Sequence, residues 1–284
     1  MTNKATPLPL ILAEEQQENS TSFTAPALPT LTIAVLTKNE ARRIRGCLQS
    51  AAFADQLIVV DSGSTDGTRE LAEAEGAEVF NYPDWQGFGT QRNRLLAHAK
   101  SEYVFFLDAD EVITAELQAA LQAAVHSGAR AVWKIRWLQV AFKRELTYFR
   151  SQATLERLFR RDMLKEYVGI VHEQAILTNE PTPRVLLQGK LLHYSRETVR
   201  GSLEKLLQYS MLGAAKRAAK GKRGGILRGA ASGIALFVRL YIVQLGFLCG
   251  GPGFLHCFFV ALEGFFRYVA IKYDYDSLSS DVAR

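Results

Sequence analysis

The chain has 284 residues, 48% hydrophobic and 22% charged, with a formal net charge of +5 and a pI near 9.1. This composition excludes a disordered or low-complexity protein, and the length allows one large domain with an appendage. Three cysteines, Cys47, Cys249 and Cys257, lack the C-x-x-C spacing of a metal module, and their odd, sparse count fits a reducing compartment.

Residues 1–29 are rich in Pro, Ser and Thr and carry Glu14-Glu15-Gln16-Gln17-Glu18, without the basic start and apolar core of a secretory signal. They are expected to be a mobile tail. From Thr30 to about Ala124 strand and helix patterns alternate. Strands are expected at Leu31–Leu36, Gln56–Val60, Glu78–Phe80 and Tyr103–Leu107. Helices are expected at Glu40–Ala51, Thr68–Glu75, Gln86–Ala99 and from Thr114 onward. This is the βαβ pattern of an α/β protein with a mostly parallel sheet, whose ligands bind at the carboxyl ends of the strands. From Arg130 to His193 strand-like runs (131–135, 186–192) sit between loops. A helix is expected from Thr198 to Lys220, followed by a largely apolar segment from Gly224 to Tyr273.

Asp108-Ala109-Asp110 follows an apolar strand, so two carboxylates separated by one residue can face one hard cation. Mg²⁺ and Mn²⁺ favour such oxygen ligands and leave positions for substrate phosphates. The loop Asp61-Ser62-Gly63-Ser64-Thr65-Asp66-Gly67 joins a strand to a helix. Its hydroxyls and acids can bind ribose or base, and Asp66 or Thr65 can cap the helix. Neither G-x-G-x-x-G nor G-x-x-x-x-G-K is present there, so no dinucleotide fold or P-loop is indicated. Arg92 can meet a diphosphate bidentately, and Asp61 can accept an N–H of uracil.

Four motifs in order, Thr37-Lys38-Asn39-Glu40, Val59 to Thr68, Gly89-Thr90-Gln91-Arg92-Asn93 and Leu107-Asp108-Ala109-Asp110-Glu111, resemble those of family 2 glycosyltransferases with the GT-A fold. The resemblance implies an inverting hexosyltransferase that uses a nucleotide-sugar and Mg²⁺ or Mn²⁺. It implies that Thr37, Asn39 and Glu40 line the nucleoside pocket, with Asp61 and Ser64 at the base. Gln91 and Arg92 would lie near base or diphosphate, Asp108 and Ala109 near the ribose, and Asp110 would be the main metal ligand, with Asp108 beside it. Inversion needs a general base on the far face of the donor sugar. Glu173 in Val171-His172-Glu173-Gln174 is the candidate, with His172 as its neighbour.

The second half resembles the β-glucosyltransferases of lipopolysaccharide and lipooligosaccharide core assembly, through Arg157 to Arg161, Val171 to Glu173 and Leu192-His193-Tyr194. That implies glucose from a UDP-linked donor and a lipid-linked or core saccharide acceptor. Polyprenyl-phosphate sugar synthases share the front half and are the nearest alternative, and a non-catalytic membrane scaffold is the alternative of another class. Residues 30–195 are expected to form the catalytic domain, with a nucleotide-sugar half (30–118) and an acceptor half (119–195), followed by a helical region (196–284).

Lys216, Arg217, Lys220, Lys222, Arg223 and Arg228 form a basic cluster without acids. Between Gly229 and Leu262 Arg239 is the only formally charged residue. A basic cluster abutting apolar helices predicts docking on an anionic membrane surface rather than nucleic acid. Gly250-Gly251-Pro252-Gly253 is expected to break the segment into halves too short to span the bilayer. The expectation is a peripheral or monotopic helical hairpin on the cytoplasmic face of the inner membrane, compatible with a homo-oligomer, with a helical pair packed on the catalytic domain or a dimer partner and a two-span hairpin as the alternatives.

Overall fold

The computed structural model describes Met1 and residues 28–150, 154–169, 173–178, 181–275 and 278. The tail read over 1–29 lies almost wholly outside the described residues, as does His172.

The chain runs β1 (Leu31–Thr37), α1 (Ile44–Ser50), β2 (Gln56–Asp61), α2 (Thr68–Ala74), β3 (Glu78–Asn81), α3 (Phe88–His98) and β4 (Tyr103–Asp108). It continues with β5 (Glu111–Ile113), α4 (Ala115–His126), β6 (Val132–Ala141), β7 (Arg144–Glu145), β8 (Thr154–Arg160), β9 (Leu164–Val168), β10 (Gln174–Leu177), β11 (Arg184–Leu186) and β12 (Leu191–Arg196). Three helices follow: α5 (Val199–Ala218), α6 (Ile226–Phe237) and α7 (Gly250–Tyr273).

Alternation along the strands builds the sheet. Ile33, Val35, Phe105 and Leu107 enter one buried cluster with Ile44, Leu48, Leu117 and Leu121 from the helices. Ala34, Leu36, Val104 and Phe106 face the other way, onto Leu95, Phe159 and Tyr167. Both faces are covered, which is why these strands read as continuous apolar runs. Each buried Phe contributes roughly 1.5–3 kcal/mol. The sheet order is β3-β2-β1-β4-β8-β6-β12-β5. The first four strands are mutually parallel and β8 enters antiparallel beside β4. The expected mostly parallel, helix-flanked sheet is therefore present. Its register sets Thr37 beside Asp61 and Leu36 beside Asp108, so the ends of β1, β2 and β4 meet at one edge.

Several expected boundaries move. α1 begins at Ile44 instead of Glu40, because Asn39 adopts a left-handed φ of 54° and Glu40 O accepts from both Arg43 N and Ile44 N in a tight turn. The N-cap of α2 is Gly67, and Asp66 reaches the Thr68 amide from one residue further out. The run expected over 186–192 divides into β11 and β12. Gly189 turns the chain at φ +81°, where a Cβ would come within 2.4 Å of Leu117 N.

The break in the C-terminal helices also lies elsewhere. A π-helical segment, Val238–Val243, extends α6, and the chain then reverses at Gln244 to Cys249 with Leu245 in the left-handed region. Gly250 to Gly253 form the first turn of α7 instead of a gap. Pro252 fits there because the first-turn N–H groups have no helical acceptor to lose. Residues 226–243 (18 residues, mean hydropathy 1.6) and 246–273 (28 residues, mean hydropathy 1.5) are both long and apolar enough to cross a membrane by length and composition. His256, Glu263 and Gly264 of α7 face inward, while Phe254, Phe258 and Phe266 are exposed. Glu263 pairs with the buried Arg196 at the end of β12, which ties α7 to the sheet.

Candidate active site

The loop after β2 is sewn to the loop after β1. Asp61, fully buried, accepts from the amides of Gly63 (3.0 Å) and Ser64 (2.8 Å) and from the Ser64 hydroxyl. Ser64 Oγ accepts from Asn39 N at 2.7 Å, and Asn39 Oδ1 accepts from Thr65 N at 2.9 Å. Asn tolerates the left-handed conformation that this exchange requires. Thr68 Oγ1 accepts from Glu40 N at 2.9 Å, and Asp66 accepts from Ala41 N at 3.1 Å. Gln91, buried on α3, donates to Ser62 Oγ at 2.9 Å. Five expected residues, Asn39, Glu40, Asp61, Ser64 and Gln91, thus join one hydrogen-bonded edge. Thr37 closes β1 beside them, and its buried Oγ1 has no partner.

Across β4 the site is ionic. Asp108 Oδ1 accepts from Arg92 Nη2 at 3.1 Å, and its Oδ2 accepts from Arg157 Nη2 at 2.6 Å. Arg157 also donates to Glu111 Oε1 at 3.0 Å, which receives the indole N–H of Trp137 at 2.6 Å. Arg92 Nε donates to Glu173 Oε1 at 2.9 Å. Arg92 is therefore the bridge between the strand-end acid and the expected base. Its third nitrogen, Nη1, is buried without a partner. A close backbone approach supports this bridge: Gly89 N donates to Gly169 O at 3.2 Å, and a Cβ on Gly89 would meet that oxygen at 2.6 Å.

Electrostatics sort these acids. Burial pushes Asp108 up, but Arg157 and Arg92 overcome it and hold the carboxyl well below its usual range. Burial wins at Glu111, which is pushed up to about 7 although Arg157 opposes it. Asp110 stands opposite His193, with Oδ2 and Nε2 at 3.4 Å, and Tyr194 N donates to its backbone oxygen at 2.9 Å. Burial raises Asp110, yet the His193 bond outweighs it and keeps the group ionised. His193 stacks on Trp137 with ring centroids 4.4 Å apart. Ala109 N donates to Leu36 O, which fixes the turn between the two aspartates.

Among the described residues no three His, Cys, Asp or Glu side chains form a closed metal cage. Mg²⁺ is commonly bound by one or two carboxylates with substrate phosphates and waters completing the shell. An ionised Asp110 at the strand edge fits that chemistry as the protein carboxylate, while both Asp108 oxygens are held by Arg92 and Arg157, and the unsatisfied Arg92 Nη1 suits the substrate phosphates.

Sequence reasoning gave no role to Arg157, Glu111, Trp137 or Lys205. An arginine directly before two apolar residues of β8, Leu158 and Phe159, both buried, was the available signal of a buried pair. Burial lowers the Lys205 ammonium on α5 below its ordinary value, although Asp110 acts in the other direction.

The sequence matches Glycosyl transferase family 2 over residues 32–173. It is 28% identical over 253 residues to the lipopolysaccharide core biosynthesis glycosyltransferase LpsC of Rhizobium meliloti (strain 1021), covering 84% of this chain and 90% of that protein. It is 26% identical over 253 residues to the uncharacterized glycosyltransferase RP128 of Rickettsia prowazekii (strain Madrid E), covering 84% and 85%. Among solved structures, S. aureus TarS 1–349 in complex with UDP-GlcNAc overlaps with a TM-score of 0.44 at 21% identity, covering 61% of this chain and 60% of that one. The match spans half of the chain, and the protein belongs to glycosyl transferase family 2.

Proposed function

We propose that this protein is an inverting glycosyltransferase that moves a hexose, glucose in the first instance, from a UDP-linked donor to a lipid-linked saccharide of the lipopolysaccharide-core type. The observation that carries this reading is the pair of unsatisfied buried atoms, Thr37 Oγ1 and Arg92 Nη1, at the strand edge that also holds Asp108 and Asp110. Buried polar atoms without partners cost about 1–3 kcal/mol each, which a phosphorylated ligand would recover. Likeness to LpsC supports the acceptor class.

In this reading the nucleoside lies against Thr37, Asn39, Glu40, Asp61, Ser64 and Gln91, and Asp108 and Ala109 border the ribose. Arg92 and Lys205 face the diphosphate. Asp110, with Asp108 beside it, would hold Mg²⁺ or Mn²⁺, which when bound would screen the charge of the departing diphosphate. Glu173 accepts the proton of the acceptor hydroxyl as its oxygen bonds to the anomeric carbon and the bond to the diphosphate breaks. Arg92 holds Glu173 in place for that transfer, and His172 would stand beside it.

The C-terminal helices would dock the enzyme as a monotopic hairpin on an anionic, cytoplasmic membrane face. Outward Phe254, Phe258, Ile234 and Val243 support that reading, with the basic residues Lys216, Lys220, Lys222, Arg223 and Arg228 exposed alongside them. Calorimetry with UDP-sugars and Mn²⁺ tests the donor site. Wild type should bind and Asp110→Ala should lose most of that binding, and equal binding by the variant would break the assignment.

A further inference from the structure

A cavity of about 310 Å³ separates β6 from the α6–α7 hairpin. Its polar lining is Gln139, Arg239, Gln244 and His256, and Leu236, Leu240 and Val260 supply apolar walls.

Arg239 is the single formally charged residue between Gly229 and Leu262. It sits on the π-helical segment between exposed Val238 and the exposed Ile242 and Val243. π-helical turns inside helices are frequent at functional sites. Among the described residues its guanidinium has no ion pair. Arg239 is itself exposed, at the rim of the cavity, and its planar fork matches a phosphate. His256 is a second, independent observation. Its side chain lines the same cavity, the residue is only 8% exposed, and its Nδ1 has no hydrogen-bond partner. The ring packs edge-on against Phe149, which also lines the cavity, and its unpaired nitrogen would be satisfied by a water, an ion or a ligand group there.

The cavity also adjoins the chemistry. Gln139 on β6 pairs in register with His193 on β12, the residue that faces Asp110. Ser195 donates to Gln139 Oε1 at 2.9 Å, which fixes that side chain at the boundary. A head group held in the cavity would therefore lie one strand from the donor edge, with its chain leaving over the apolar face of α6.

We propose that this cavity receives the phosphate-bearing head of the lipid-linked acceptor, with Arg239 opposite the phosphate and His256 and Gln244 as hydrogen-bond partners. The chain of the lipid leaves past Leu236 and Leu240, which wall the cavity. The proposal rests on the transferase reading above and adds the ligand chemistry and the place where it binds.

The test is calorimetry on the full chain in non-ionic detergent with monomeric dihexanoyl phosphatidic acid, which presents a phosphate monoester on an apolar body. Inorganic phosphate, dihexanoyl phosphatidylcholine and dihexanoyl phosphatidylglycerol are the controls. Wild type should bind the phosphatidic acid at least tenfold more tightly than each control. Arg239→Gln should weaken that binding tenfold or more, and Arg239→Lys should restore part of it. Equal binding of inorganic phosphate would reduce the site to a bare anion site. Equal binding of the glycerol lipid would make it a site for ordinary bilayer lipid. Either result, no binding at all, or an unaffected Arg239→Gln variant would overturn the proposal. UDP binding with Mn²⁺, measured on the same samples, separates the two readings. If it persists while the amphiphile fails, only the cavity proposal falls. If wild type does not bind UDP, the transferase reading fails and takes the acceptor assignment with it.

Discussion

At the edge formed by β1, β2 and β4, apolar strands are buried on both faces and charged groups gather at their tips in mutual pairs. In α6 and α7 the layers are reversed. His256 and Glu263 point into the protein, and Phe254, Phe258, Ile234 and Val243 face outward. The same residue types thus have opposite jobs: acids and arginines at the sheet edge prepare a polar site, whereas Arg196 and Glu263 anchor a helix whose outer face is apolar. Exposed apolar patches of this extent mark interaction surfaces. The contrast implies that damage at the edge should cost activity or folding, and damage on the outer helical face should cost location.

The largest expected effects lie at the edge. Glu173→Gln keeps the size of the side chain and an oxygen for Arg92 but removes the proton acceptor. Turnover should fall by roughly 10²–10⁴-fold, the usual contribution of a general base. Donor binding by calorimetry should persist. Near wild-type turnover with a matched donor and acceptor would sink the base assignment.

Arg157→Ala comes next. It leaves Asp108 and the fully buried Glu111 without a cation they share. Breaking a buried pair in this way costs about 3–5 kcal/mol. Urea unfolding should show a lower midpoint, and Arg157→Ala combined with Glu111→Gln should recover part of the loss. If the single variant is as stable as wild type, the cluster is not the structural support described here. Lys205→Gln is milder. A charge-assisted contact contributes about 1.5–3 kcal/mol, so UDP affinity should drop by roughly 10- to 150-fold while the fold is unchanged. Unaltered UDP affinity would remove Lys205 from the diphosphate site.

The legibility of the two regions differs for a physical reason. β1, β2 and β4 were readable because strands covered on both faces must be apolar runs, and the acids end them where a parallel sheet places its ligands. Arg157 was not assigned because its partners lie 46 and 49 residues away, and pairing at that distance is decided by the sheet order β4-β8-β6. His193 carried part of the resemblance in Leu192-His193-Tyr194 but was given no role of its own, since nothing local announces that β12 brings it to Asp110. The Gly-Gly-Pro-Gly stretch misled because proline is compatible both with a break and with a helix's first turn. His172 lies outside the described residues, so its expected place beside Glu173 stays a proposal.

The smallest change in folding and the clearest change in location should come from Leu227→Ser with Val243→Ser. Leu227 is 86% exposed and Val243 67%, so neither side chain is held by the protein. Exposed substitutions ordinarily move stability by less than about 0.5 kcal/mol. An apolar side chain moved from water into lipid gains about 1.5–3 kcal/mol, and two such losses should lower partition onto anionic vesicles by well over tenfold. Vesicle sedimentation at low and high salt measures this. High salt should weaken the remaining attachment further, because the contribution of the lysines and arginines around Lys220 is screened while apolar insertion is not. A double variant that sediments like wild type at both salts would place the membrane contact elsewhere and end the contrast between a polar edge that reacts and an apolar face that docks.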